Sequence, residues 1–218
     1  MKTTHAIISR NIMKYMCWYK QPVHIRRDRV STIHNVYDRP YAVKADTCHT
    51  AFSIVLWFEA ETRTMYLYSN AELIMLPGYS HGMFIGCVSL EDIEDDLLDY
   101  EFVYDANYMF FGCESLRALN IRNLINVKET DYMFTNCKGM REVVFTDCDF
   151  SQVDTAVGMF RECISLRRVA VEQPQLALLL HHDDLFLNCN SLKDAFSITG
   201  NHNSCGLQEG EFNYKEVK

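Results

Sequence analysis

The residues with chemistry to offer are eight histidines, nine cysteines and an uneven set of charges. The histidines are scattered. Their one cluster, His181-His182-Asp183-Asp184, would need ligands from elsewhere to make a metal site, and a solvated turn fits it better. No Cys-x-x-Cys pair supplies the usual zinc spacing. Cys17, Cys48, Cys148 and Cys205 have no evident partner base, and the other five recur at one position of a repeat. There is no glycine-rich phosphate loop, no Gly-x-Ser-x-Gly elbow and no paired-carboxylate signature. The chain is therefore read as non-enzymatic, with no catalytic residue, no metal site and no cofactor.

The charges carry the stronger signal. Residues 1–47 hold nine Lys/Arg against three Asp, leaving twelve against twenty-six for the rest of a chain whose formal net charge is -8. A basic head on an acidic body predicts different partners for the two ends. In Glu91-Asp92-Ile93-Glu94-Asp95-Asp96-Leu97-Leu98-Asp99-Tyr100-Glu101, seven of eleven residues are acidic. So much like charge is costly to hold together. It reads as a patch for a basic groove of another protein, including one that normally holds nucleic acid, or as a solvated loop, or as a partner for the chain's own basic head. In that head, Arg26, Arg27 and Arg29 lie near Tyr15, Trp18, Tyr19 and Lys20, a possible secondary basic site. The signal is short and suits protein contact at least as well, so direct nucleic-acid binding is not expected.

The elements that position these residues follow from a repeat. Met83-Phe84-x-x-Cys87-x-Ser89-Leu90 returns at Met109-Phe110-x-x-Cys113, Met133-Phe134-x-x-Cys137, Met159-Phe160-x-x-Cys163 and Leu185-Phe186-x-x-Cys189, with spacings of 26, 24, 26 and 26 residues. A fixed period of this length predicts a solenoid. Met, Phe and Cys at four- and three-residue spacing predict one face of a short helical turn. The alternation after each Cys predicts a short strand with inward Leu119 and Ile121, Val143 and Phe145, and Val169 and Val171. The repeat cysteines are expected to be free, buried thiols.

The outward strand positions are the natural binding face: Asp92, Glu94 and Asp96; Ala118, Asn120 and Arg122; Glu142, Val144 and Thr146; Arg168, Ala170 and Glu172; Asp194, Phe196 and Ile198. One residue before each row runs a column of Glu91, Arg117, Arg141, Arg167 and Lys193, a solvated edge or a grip for acidic partners. In the first coil an inward slot holds Asp95, which reads as end-capping. Upstream, 51–58 and 64–68 read as strands, 71–76 as a shorter one and 7–19 as an amphipathic helix.

The repeated Met-Phe-x-x-Cys-x-Ser-Leu followed by Leu-x-Ile resembles the BspA-type leucine-rich repeat over residues 83 to about 200. The resemblance implies a right-handed solenoid that binds other proteins. The combined expectation is an α/β leucine-rich-repeat solenoid of about five coils, each a short strand plus a helical turn, with an N-terminal α+β cap. Its parts are a basic, β-rich extension (1–82), the solenoid (83–200) and a C-terminal tail (201–218). The start of the chain shows no secretory signal and no stretch reaches a membrane span, so a cytoplasmic protein with no membrane association is expected. Two functions follow. One is an intracellular inhibitor or decoy that occludes a target protein, with a phage-encoded, anti-CRISPR-like antagonist of a host nuclease as one form. The other is a secreted or surface adhesin whose export signal is not in this sequence. The binding residues expected are Glu91, Asp92, Glu94, Asp95, Asp96, Asp99, Asn120, Arg122, Glu142, Arg168 and Glu172.

Overall fold

The computed structural model describes residues 4–29, 39, 42–47, 52–171 and 183–193, together with the backbone of 194–198. The order is β1 (His5–Ile7), α1 (Arg10–Lys20), β2 (His24–Arg27), β3 (Val43–Lys44), β4 (Ile54–Glu59), β5 (Thr64–Ser69) and β6 (Leu73–Met75). Then follow β7 (Asp92–Ile93), β8 (Ala118–Arg122), β9 (Glu142–Thr146), β10 (Arg168–Val171) and β11 (Asp194–Ile198). They form three open sheets, in the orders β1-β6, β11-β10-β9-β8 and β3-β4-β5-β2-β7. The strand runs read at 51–58 and 64–68 form the antiparallel pair β4 and β5. Strand β4 is buried from Ile54 to Phe58 because both its faces are covered. Ile54, Leu56 and Phe58 enter the main core, while Val55 and Trp57 pack with Ala42, Tyr66 and Tyr68.

The expected leucine-rich-repeat solenoid of strand plus helical turn is not the fold adopted. Among the described residues α1 is the only α-helix, and it lies outside the repeats. The Met-Phe-x-x-Cys segments are successive tight turns instead. The amide of each repeat Cys donates three residues back, as in Cys113 N to Phe110 O (3.1 Å) and Cys137 N to Phe134 O (3.1 Å). Left-handed residues bracket every segment: Gly82 and Gly86, Tyr108 and Gly112, Tyr132 and Asn136, Gly158 and Glu162, Asp184 and Asn188. A right-handed helix cannot pass through two such residues four apart. The Phe amides therefore donate to the next repeat, Phe84 N to Met109 O (2.8 Å), Phe110 N to Met133 O (2.8 Å) and Phe134 N to Met159 O (2.8 Å). Nor is there one continuous run of repeat strands. The first repeat's strand, β7, pairs with β2 of the N-terminal region, and only β8 to β11 form the repeat sheet.

The repeats are nonetheless held in register by their side chains. Phe84, Phe110, Phe134, Phe160 and Phe186 stack with centroids 4.9, 5.4, 5.3 and 5.3 Å apart and nearly parallel planes. Beside them the Cys113, Cys137, Cys163 and Cys189 thiols donate to the Phe carbonyl of the preceding repeat, at 3.2, 3.1, 3.0 and 2.9 Å. This explains a cysteine at that place: it is small enough for a closed core and still supplies a donor to a buried carbonyl. Cys87 makes the same contact with Cys17 O of α1 (3.5 Å), so the helix docks on the exposed end of the thiol column. One hydrophobic core runs from Ala6 to Cys189, crossing the boundary expected at 82/83. Burial pushes the thiols of Cys113, Cys137 and Cys163 above their ordinary range.

Two outcomes test this packing. Phe134→Ala, which removes a ring stacked on both sides, is expected to destabilise the protein by about 3–5 kcal/mol, and a denaturant titration equal to wild type would contradict the register. Cys113, Cys137 and Cys163 are expected to resist a thiol reagent until denaturant is added, and rapid labelling of the native protein, located by mass spectrometry, would show that the column is open.

Candidate functional site: a groove between two sheets

The site arises where β7 leaves the repeat register. At one end Arg117 N donates to Glu91 O (3.1 Å), and at the other Tyr100 N donates to Arg122 O (3.3 Å). Between these ties the first repeat turns toward β2. Glu91 N donates to Val23 O (2.8 Å), β7 pairs in parallel with His24 and Ile25, and Glu94 N donates to Ile25 O (2.9 Å). Asp96 then adopts a left-handed conformation that brings the chain back. No ladder joins β7 to β8, and the gap is a groove of about 590 Å³. Ile93, Ala118, Leu119 and Val144 supply its apolar lining, and Arg26, Asp92, Glu94, Asp95, Asn120 and Glu142 its polar lining. Its volume falls in the range of sites that hold a small molecule or a few side chains.

Most of the charge here is neutralised within the chain. Asp92 forms an ion pair with Arg26 and lies 3.0 Å from His24 Nδ1. Burial alone would raise the Asp92 carboxyl, but the Arg26 hydrogen bond and charge, with His24, outweigh it and hold the group below the usual carboxylate range. Arg26 is correspondingly raised, chiefly by its hydrogen bond to Asp92. Glu94 pairs with Arg29 and accepts the Arg27 amide (2.8 Å). Glu142 pairs with Arg168 (2.5 Å), and Asn120 Oδ1 accepts the Thr146 hydroxyl (3.0 Å). Asp95 differs: it is exposed and makes no ion pair among the described residues.

The structure thus gathers Arg26, Asp92, Glu94, Asp95, Asn120 and Glu142 and scatters the other expected binding residues. Glu91 is held outside the groove by Arg117 (2.8 Å). Asp96 and Arg122 pair with each other and line a smaller hollow of about 190 Å³ with Leu73 and Ile74. Asp99 is buried and accepts the Glu101 amide (2.9 Å) and Asn123 Nδ2 (2.7 Å), a structural role. Arg27 donates to the backbone carbonyls of Ala71 and Glu72 and, with Arg29, borders a separate hollow against Trp57 and Tyr66. Glu172, His181 and His182 lie outside the described residues, as do Cys48, Cys205 and the tail 201–218. Ala170, read as exposed, is fully buried.

Sequence reasoning placed Ala118 and Val144 on the binding face but missed Ile93 and Leu119 in the apolar lining, because it assumed that β7 continues the repeat sheet. The available signal was Asp95 in a slot that is apolar in the central repeats, together with basic residues at 26 and 29 able to match the acids at 92 and 94.

Comparison with protein-family models, with curated proteins and with solved structures gave no match. Among the described residues no helix is long and apolar enough to cross a membrane.

The depressed Asp92 carboxyl gives a pH signature. A lowered folded-state pKa means that the ionised group stabilises the fold above the unfolded value, near pH 4, and that this contribution disappears as the pH falls through the folded value. Asp92→Asn is expected to melt below wild type at neutral pH, with the gap closing below about pH 4. An equal gap at both pH values would show that the Arg26–Asp92 charge interaction is not what holds β7 to β2.

Proposed function

We propose that this protein is a non-enzymatic binding module that receives a basic side chain of a partner protein in the groove between β7 and β8. The observation that carries the reading is the combination of an apolar lining with one uncompensated carboxylate. A lysine or arginine lays its hydrocarbon stem on Ala118, Leu119 and Val144 and sets its charged head at Asp95. The remaining acids are already held by Arg26, Arg29 and Arg168 and serve as a rigid rim. This narrows the acidic-patch reading: recognition rests on one fitted side chain and its surroundings rather than on a diffuse negative field. Buried centres ringed by polar residues are where interface energy concentrates.

A module of this kind acts by covering the partner's basic residue, which suits an inhibitor or decoy of a protein with a basic functional surface. The test is a peptide array of lysine- and arginine-containing sequences, probed with wild type and with Ala118→Trp. The indole is expected to fill the groove from an exposed position, abolishing the wild-type pattern while leaving the melting temperature unchanged. Asp95→Asn should weaken the same spots by about tenfold. The same pattern from all three proteins would exclude the groove as the binding site.

A further inference from the structure

The cations and carboxylates that flank the repeat turns are matched across neighbouring repeats. Glu91 faces Arg117 (2.8 Å), Glu114 faces Lys138 (3.1 Å), Glu142 faces Arg168 (2.5 Å) and Arg161 faces Asp184 (3.1 Å). One row breaks this pattern. Arg141, Arg167 and Lys193 are exposed, and their side chains make no ion pair or hydrogen bond among the described residues. Their register is fixed by the backbone, with Arg141 N donating to Arg117 O (2.7 Å), Arg167 N to Arg141 O (2.9 Å) and Lys193 N to Arg167 O (3.1 Å). Adjacent parallel segments lie ~4.8 Å apart, so three like charges stand in a line about 10 Å long. Like charges directly opposite one another destabilise a sheet. Glu91 ends the row by neutralising Arg117, its fourth member.

We propose that this row is a docking surface for an extended acidic segment of another protein. Alternate side chains of an extended chain lie ~6.6–6.8 Å apart on one face, so two or three carboxylates reach the three cations. Guanidinium groups grip carboxylates in a paired geometry that an isolated ammonium cannot offer. Two features favour a peptide over a nucleic-acid strand. Ile164, 43% exposed, stands in the same turn as Arg167 and offers an apolar contact. A longer phosphate backbone would run beyond three cations onto a protein of net charge -8. The row is distinct from the β7–β8 groove, and its test leaves the groove reading untouched.

The experiment is fluorescence anisotropy with a labelled peptide of alternating glutamate and alanine, its glutamine counterpart, and a labelled single-stranded oligonucleotide. Wild type is expected to bind the glutamate peptide in preference to both controls and to release it in salt. The triple variant Arg141→Gln, Arg167→Gln, Lys193→Gln is expected to bind it about tenfold more weakly while melting at or above the wild-type temperature, since repulsion is relieved. The proposal is overturned by no binding to wild type, by equal binding of the glutamine peptide, by an undiminished triple variant, or by tighter binding of the oligonucleotide.

Discussion

Everything in this molecule depends on the alternate amides that each Met-Phe-x-x-Cys segment gives away. Phe84 N, Phe110 N and Phe134 N donate not within their own turn but to the next repeat, at 2.8 Å each. That one choice fixes the vertical spacing, and the spacing brings the five Phe rings into contact at 4.9–5.4 Å. It also sets the thiols of Cys113, Cys137, Cys163 and Cys189 against the Phe carbonyl of the preceding repeat. Backbone, ring and thiol columns are three expressions of one register. A change to any of them is felt by the others, because a close-packed core cannot relax by one residue at a time.

Against this uniform stack the groove is a local exception with a local cause. Strand β7 has a competing partner in β2, which offers a parallel edge and matching charges: Arg26 with Asp92, and Arg29 with Glu94. Once β7 takes that edge, the turns of the first and second repeats stay bonded, as in Phe84 N to Met109 O, while their strand segments are tied only at the two ends of the groove, Glu91–Arg117 and Tyr100–Arg122. Two members of the acidic run, Asp92 and Glu94, thus bind the basic head to the repeats, while Glu91 and Asp96 pair within the repeats and Asp95 lies exposed in the groove without an ion pair among the described residues.

This division also explains what was legible in the sequence. The inward residues Leu119, Ile121, Val143 and Phe145 were readable because period-two alternation is local, and the buried cysteines were readable because they recur in phase. The helical turn was misread because Phe and Cys three residues apart face the same way in a helix and in successive tight turns alike. Glycines at 82, 86, 112 and 158 and asparagines at 136 and 188 marked the left-handed positions. Tyr108, Tyr132 and Glu162 at the same slots concealed them. The β2–β7 pairing joins residues 68 apart, as His24 and Asp92 show, and no local periodicity reports it. Of the candidate site, the charged rim was legible. So were Ala118 and Val144 as outward strand positions, but Ile93 and Leu119 were not, because they reach a groove only when the two strands part.

The most direct test of this account is a nuclear Overhauser map of the amides around β7. It should show contacts between Glu94 and Ile25 and between Ile93 and β2, together with contacts from β8 to β9, and a break in the ladder between β7 and β8. An unbroken ladder from β7 through β8 to β9, with no contacts to β2, would remove the groove and contradict the account.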